Sequence, residues 1–95
     1  MEIGISDIVR SLAGRDQGKL FFVLKTDENF VWIADGKGRR LEKPKRKKRR
    51  HIERIFGTDS RVGEKLRSGE KVLNSELRRE LAGFSQKVNS QNQGG

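Results

Sequence analysis

Cysteine is absent from this 95-residue chain, and histidine, tryptophan, proline and methionine occur once each. Without cysteine there is no disulfide framework, no thiolate zinc site and no cysteine nucleophile. The composition suits a reducing compartment, and a cytoplasmic protein is expected. The single imidazole, His51, leaves almost no material for a histidine-ligated metal or a His-paired catalytic unit. The carboxylates are scattered, and none stands beside a plausible nucleophile. No enzymatic activity, metal or cofactor is therefore expected. Long apolar runs are missing too. Hydrophobic residues make up 32% and charged residues 37%, and no stretch approaches the roughly 20 apolar residues of a membrane-spanning helix. The opening Met1-Glu2-Ile3-Gly4-Ile5-Ser6-Asp7 lacks the basic and apolar segments of a secretory signal. No hydrophobic second signal accompanies the basic residues to make a membrane tether.

What the chain does have is positive charge, with a net +9. Residues 44–56 hold seven basic side chains and one acidic, and so carry most of that excess. The centre is the run Lys45-Arg46-Lys47-Lys48-Arg49-Arg50. Like charges this dense repel one another and call for a counter-charge. A solvated loop is the plain reading of a short run. Six cations beside structured sequence point to a polyanion.

The first half reads as β. Leu20-Phe21-Phe22-Val23-Leu24 and Phe30-Val31-Trp32-Ile33-Ala34 are apolar runs too short for buried helices. Ile8-Val9 with Leu12-Ala13 makes an earlier strand. A fourth is predicted over Arg39–Glu42 and a fifth over His51–Ile55. Turns fall at Gly14 to Gly18, at Asp27-Glu28-Asn29 and at Asp35-Gly36. Pro44 should lie at a strand exit or edge. Five short strands of this kind can roll into a small barrel. The second half changes period. Val62 and Leu66, then Leu77, Leu81, Phe84 and Val88, follow helical spacing. Asp59 or Ser60 can cap the first helix and Gly69 can end it; Asn74 or Ser75 can cap the second. The expected organisation is a mainly β barrel over residues 1–56, two short helices over 57–88, and a disordered tail over 89–95.

The loop Gly14-Arg15-Asp16-Gln17-Gly18-Lys19, set between Ile8-Val9 and Phe22-Val23-Leu24, resembles the KOW motif. Asp35-Gly36, Arg39-Arg40 and a basic stretch ending in His51-Ile52 make residues 4–56 similar to the KOW-type large-subunit ribosomal proteins of archaea and eukaryotes. The resemblance implies an SH3-like barrel that binds RNA, with ribosomal RNA and the large subunit as partners. It is not a phosphate-binding P-loop, because three residues separate the glycines and no Ser or Thr follows Lys19.

Two other functions fit the same residues. One is a transcription-associated, NusG-type KOW factor. The other is a protein-interaction module in which Val62, Leu66, Leu77 and Leu81 dock a partner. A DNA-binding helix-turn-helix is disfavoured by Glu76 and Glu80 on the second helix.

The candidate RNA-binding residues are Arg15, Lys19, Arg39, Arg40, Lys43, Lys45, Arg46, Lys47, Lys48, Arg49, Arg50 and His51. Arginine can grip phosphate bidentately, and lysine acts as a point charge. Gly14 and Gly18 are assigned to the loop's backbone, and His51 to a strand. Phe30 and Trp32 share a strand face and could stack on unpaired bases. In so thin a core, packing is the preferred expectation for Trp32, as it is for Phe22.

Overall fold

The computed structural model describes residues 2–58 and 60–93, with side chains described to residue 85. Five strands come first: β1 (Ile8–Ser11), β2 (Leu20–Thr26), β3 (Phe30–Ala34), β4 (Lys45–Lys48) and β5 (Ile52–Phe56). A 3-10 turn, Arg49–His51, separates β4 from β5, and helices α1 (Arg61–Ser68) and α2 (Asn74–Gln93) follow. All neighbouring strands are antiparallel, in the order β4-β3-β2-β1-β5.

The apolar runs become β2 and β3 as the sequence predicts, joined by a turn in which the Asp27 carboxylate accepts from the Asn29 N–H. The fourth strand is displaced. It is the cationic run itself, Lys45–Lys48, and not Arg39–Glu42. The cause is Asp35. Its carboxylate accepts from the N–H groups of Lys37 and Arg39, both at 2.9 Å, while Asp35 and Gly36 donate to the Arg39 carbonyl. That network turns the chain, and Pro44 then delivers it extended into β4. Four cations are tolerated as a strand because β4 is an edge, bonded only to β3. A charged edge also resists pairing with another sheet. β1 ends at Ser11 instead of reaching Leu12-Ala13, and one further bond, from the Leu12 N–H to the His51 carbonyl at 2.8 Å, prolongs its pairing with β5. β5 starts at Ile52 because His51 closes the 3-10 turn.

The two edge strands, β4 and β5, are consecutive in sequence. Four Cα steps, from Lys48 to Ile52, span at most about 14 Å. In a flat sheet of five strands the edges would lie about 19 Å apart. The sheet must therefore roll. Bulges between Ile8 and Val9 and between Val23 and Lys25 add local twist. No ladder joins β4 to β5 among the described residues, so the roll is not a closed barrel.

Rolling creates two apolar clusters, one on each face. Inside lie Val9, Phe21, Val23, Val31, Ile33 and Ile52, with Ile3 against them. On the outer face, Ile8, Phe22 and Ala34 pack with Val62, Leu77 and Leu81 of the helices. The helices thus share a core with the sheet across the boundary expected at residue 56. Phe84 adds a ring pair with Phe56 at 5.5 Å between centroids. Gly36 lets α2 approach: a Cβ there would collide with the Asn74 carbonyl, and the Arg78 guanidinium donates to the Gly36 oxygen at 2.7 Å.

Ser60 caps α1, its hydroxyl accepting from the Gly63 N–H, and Gly69 ends it in the left-handed conformation. Asp59, the other cap considered, lies outside the described residues. Asn74 does not cap α2. Its amide oxygen accepts from the Leu41 N–H and its amide nitrogen donates to Glu42, stitching the helix start to the turn after β3. Glu76 does the capping, reaching back to the Leu73 N–H at 3.0 Å while taking Lys65 at 2.9 Å. Helix α2 is also longer than predicted. It runs to Gln93, into the stretch expected to be a disordered tail. Residues 94 and 95 lie outside the described residues.

Two predictions follow from this packing. Phe22 is fully buried between sheet and helices, and Phe22→Ala should cost about 3–5 kcal/mol, read as a large drop in thermal midpoint. The hydrogen bond from Lys65, then that from the Leu73 N–H, hold the Glu76 carboxyl below its ordinary value. A carboxyl lowered in this way stabilises the fold above its unfolded pKa, and the gain is lost as pH falls through the lowered one. Wild type should therefore melt above Glu76→Gln at neutral pH. Paired thermal melts should show the gap close below the ordinary carboxylate range.

Candidate nucleic-acid interface

The loop between β1 and β2, the turns between β3 and β4, and β4 itself meet on one side of the roll. Gly14 and Gly18 both adopt positive φ, 80° and 86°, in line with the backbone role expected of them. Asp16, buried within this loop, accepts from Nε and Nη2 of Arg39 at 3.1 and 3.0 Å. Lys47 Nζ donates to the Ala13 carbonyl at 2.7 Å. The loop is thus pinned at two points by cations from the segment that follows β3.

These contacts give three of the expected site residues partners within the fold. Arg39 is held by Asp16. Lys47 is half-buried, standing opposite Val31 with its ammonium extended to the loop. Arg49 donates from Nε to the Asp27 carbonyl at 2.8 Å and from Nη1 to that of Ile3 at 3.4 Å. All three are half-buried and bond to neighbouring segments. His51 is half-buried at the end of the 3-10 turn, one residue before the strand assigned to it.

The remaining cations project outward. Arg15, Lys19, Lys43, Lys45, Lys48 and Arg50 are exposed and make no ion pair among the described residues. Arg40 pairs with Glu42 at 3.3 Å, but both are mostly exposed, and such a pair contributes little and exchanges readily. Lys43, Lys45 and Arg46 line a shallow cleft with Arg40 and Pro44. Lys48 and Arg50 line a second one with Asn29 and Phe30.

The ladder between β3 and β4 decides which cations meet which rings. Arg46 stands opposite Trp32 and Lys48 opposite Phe30, while Lys45 and Lys47 stand opposite Ile33 and Val31. Antiparallel partners share a face. Arg46 and Lys48 therefore flank the two aromatics. The Arg46 guanidinium sits 4.5 Å from the Phe30 ring centre, and Lys25 Nζ sits 4.8 Å from that of Trp32. Trp32 was expected in the core. It is half-buried instead and belongs to neither apolar cluster, although Ala34 on the same face of β3 packs with the helices. Lys25 is not among the residues singled out from the sequence; the register that sets Thr26 against Val31 and Lys25 against Trp32 brings it to the ring.

Among the described residues no group of His, Asp and Glu converges as a metal site requires, and no helix is long and apolar enough to cross a membrane. Scanned against protein-family models and against curated proteins, the chain matches none.

The Asp16–Arg39 pair generates a prediction. Asp16→Asn and Arg39→Gln should each cost about 1–3 kcal/mol. The double variant should be little worse than either single change, because both remove the same interaction. Denaturant melts of the four proteins measure this coupling.

Proposed function

We propose that the chain is an RNA-binding module of the KOW type, its rolled sheet an SH3-like barrel, with structured RNA as its partner and ribosomal RNA the first candidate. The observation that carries this is the division of labour within the basic run. Lys47 and Arg49 anchor the run to neighbouring loops, which leaves Lys45, Lys48 and Arg50 exposed along the edge strand, with Lys45 and Lys48 on opposite faces of it. Exposed cations without ion-pair partners along one edge suit a phosphate backbone, and counterion release would supply most of the affinity. The Gly14–Lys19 loop and its place between β1 and β2 support the KOW reading. The protein-interaction alternative draws less support, because Val62, Leu77 and Leu81 are buried against the sheet and Leu66 is partly buried there.

A salt titration of RNA affinity tests the proposal. Replacing Lys45, Lys48 and Arg50 with Gln should flatten the log K against log salt slope by about 0.7–0.9 per lost contact and leave the thermal midpoint nearly unchanged. Lys47→Gln should do the reverse, lowering the midpoint with little change of slope. A folded triple variant with the wild-type slope would rule out the run as the binding edge.

A further inference from the structure

Building on the RNA-binding reading, we propose that Phe30 and Trp32 form a stacking platform for unpaired bases, so that the target is a single-stranded segment or loop and not a continuous duplex. Large aromatic side chains are scarce here, at 6% of residues. Phe21 and Phe22 fill the two clusters, and Phe56 and Phe84 pair with each other. Phe30 and Trp32 do neither. They stand on one face of β3, two residues apart, which separates them by about 7 Å. That spacing lets two rings address neighbouring bases.

Their present covers are cations on flexible stems. Arg46 lies over Phe30 and Lys25 over Trp32, and both cations are exposed. An incoming base can displace the Lys25 ammonium onto a phosphate. The planar Arg46 guanidinium can stay and stack as a second layer. Phosphate partners are close by, since Lys48 and Arg50 border the cleft at Phe30. Glu28 and Asn29 line the same cleft, where a carboxylate would repel phosphate but can accept from a base edge. The backbone would therefore follow the Lys48–Arg50 side with the bases turned toward the rings. A duplex offers neither part of this, because its bases are stacked on one another and its deep groove is closed to side chains.

Trp32 is the only tryptophan, so its fluorescence reports on the platform without any substitution. The whole chain would be titrated with a mixed-sequence single-stranded RNA, with the duplex of the same sequence, and with polyphosphate, a polyanion without bases. The single strand should quench Trp32 emission, and the duplex and polyphosphate should leave it nearly unchanged. Trp32→Ala and Phe30→Ala should each weaken single-strand binding by roughly fivefold to a hundredfold and leave polyphosphate binding as it was. Trp32→Phe, which keeps a ring, should retain most of the affinity, with thermal melts confirming that each variant is folded. Single-strand binding without quenching, or equal quenching by duplex, would overturn the platform and leave the RNA-binding reading standing. Failure to bind any RNA would overturn both.

Discussion

Four Cα steps join strands at opposite edges of a five-stranded sheet, and the rest of the molecule depends on that short tether. The 3-10 turn Arg49–His51 makes the crossing. On one side the Arg49 N–H bonds to the Asn29 carbonyl, prolonging the β3–β4 ladder. On the other the His51 carbonyl takes the Leu12 N–H, beginning the β5–β1 side. So short a connection bends the sheet over its inner face, without a ladder between the two edges among the described residues. Val9, Phe21, Val23, Val31 and Ile33 are thereby withdrawn from water with no helix over them.

The same tether explains how a dense cationic run can be part of the structure. An isolated run of six cations would stay solvated and mobile. Here its members alternate between two tasks because a strand directs successive side chains to opposite faces. Lys47 goes inward and ends on a loop carbonyl. Arg46 and Lys48 go to the face that carries Trp32 and Phe30. Electrostatic repulsion along the run is relieved in part by hydrogen bonds to backbone oxygens and in part by the faces of aromatic rings.

Helices α1 and α2 complete the outer face. A chain of this size has a thin core, and two separate clusters would be marginal without Val62, Leu77 and Leu81 over Phe22. The helices cover only part of that face. Beyond them Phe30 and Trp32 remain at the surface, next to the strand with the densest positive charge. The incomplete cover and the charged edge together define the proposed RNA surface.

Much of this was legible from residue order alone. The apolar runs at 20–24 and 30–34, the turns at Asp27–Asn29 and Asp35-Gly36, the Ser60 and Gly69 caps and the helical spacing of Leu77 and Leu81 are local signals, and each stands where it was read. Charge, too, singled out residues 45–50 as the segment of interest. Tertiary structure decided what no local pattern could. The cationic run became a strand because β3 had an open edge and Asp35 had already turned residues 35–39 aside. Arg39, Lys47 and Arg49 became anchors to partners that lie 22 to 46 residues away in sequence. Trp32 was left half-buried and outside both apolar clusters. Composition and periodicity set which residues want water, neighbours or opposite charge. Which of those wants was met, and by whom, followed only when the roll brought distant loops within hydrogen-bonding distance.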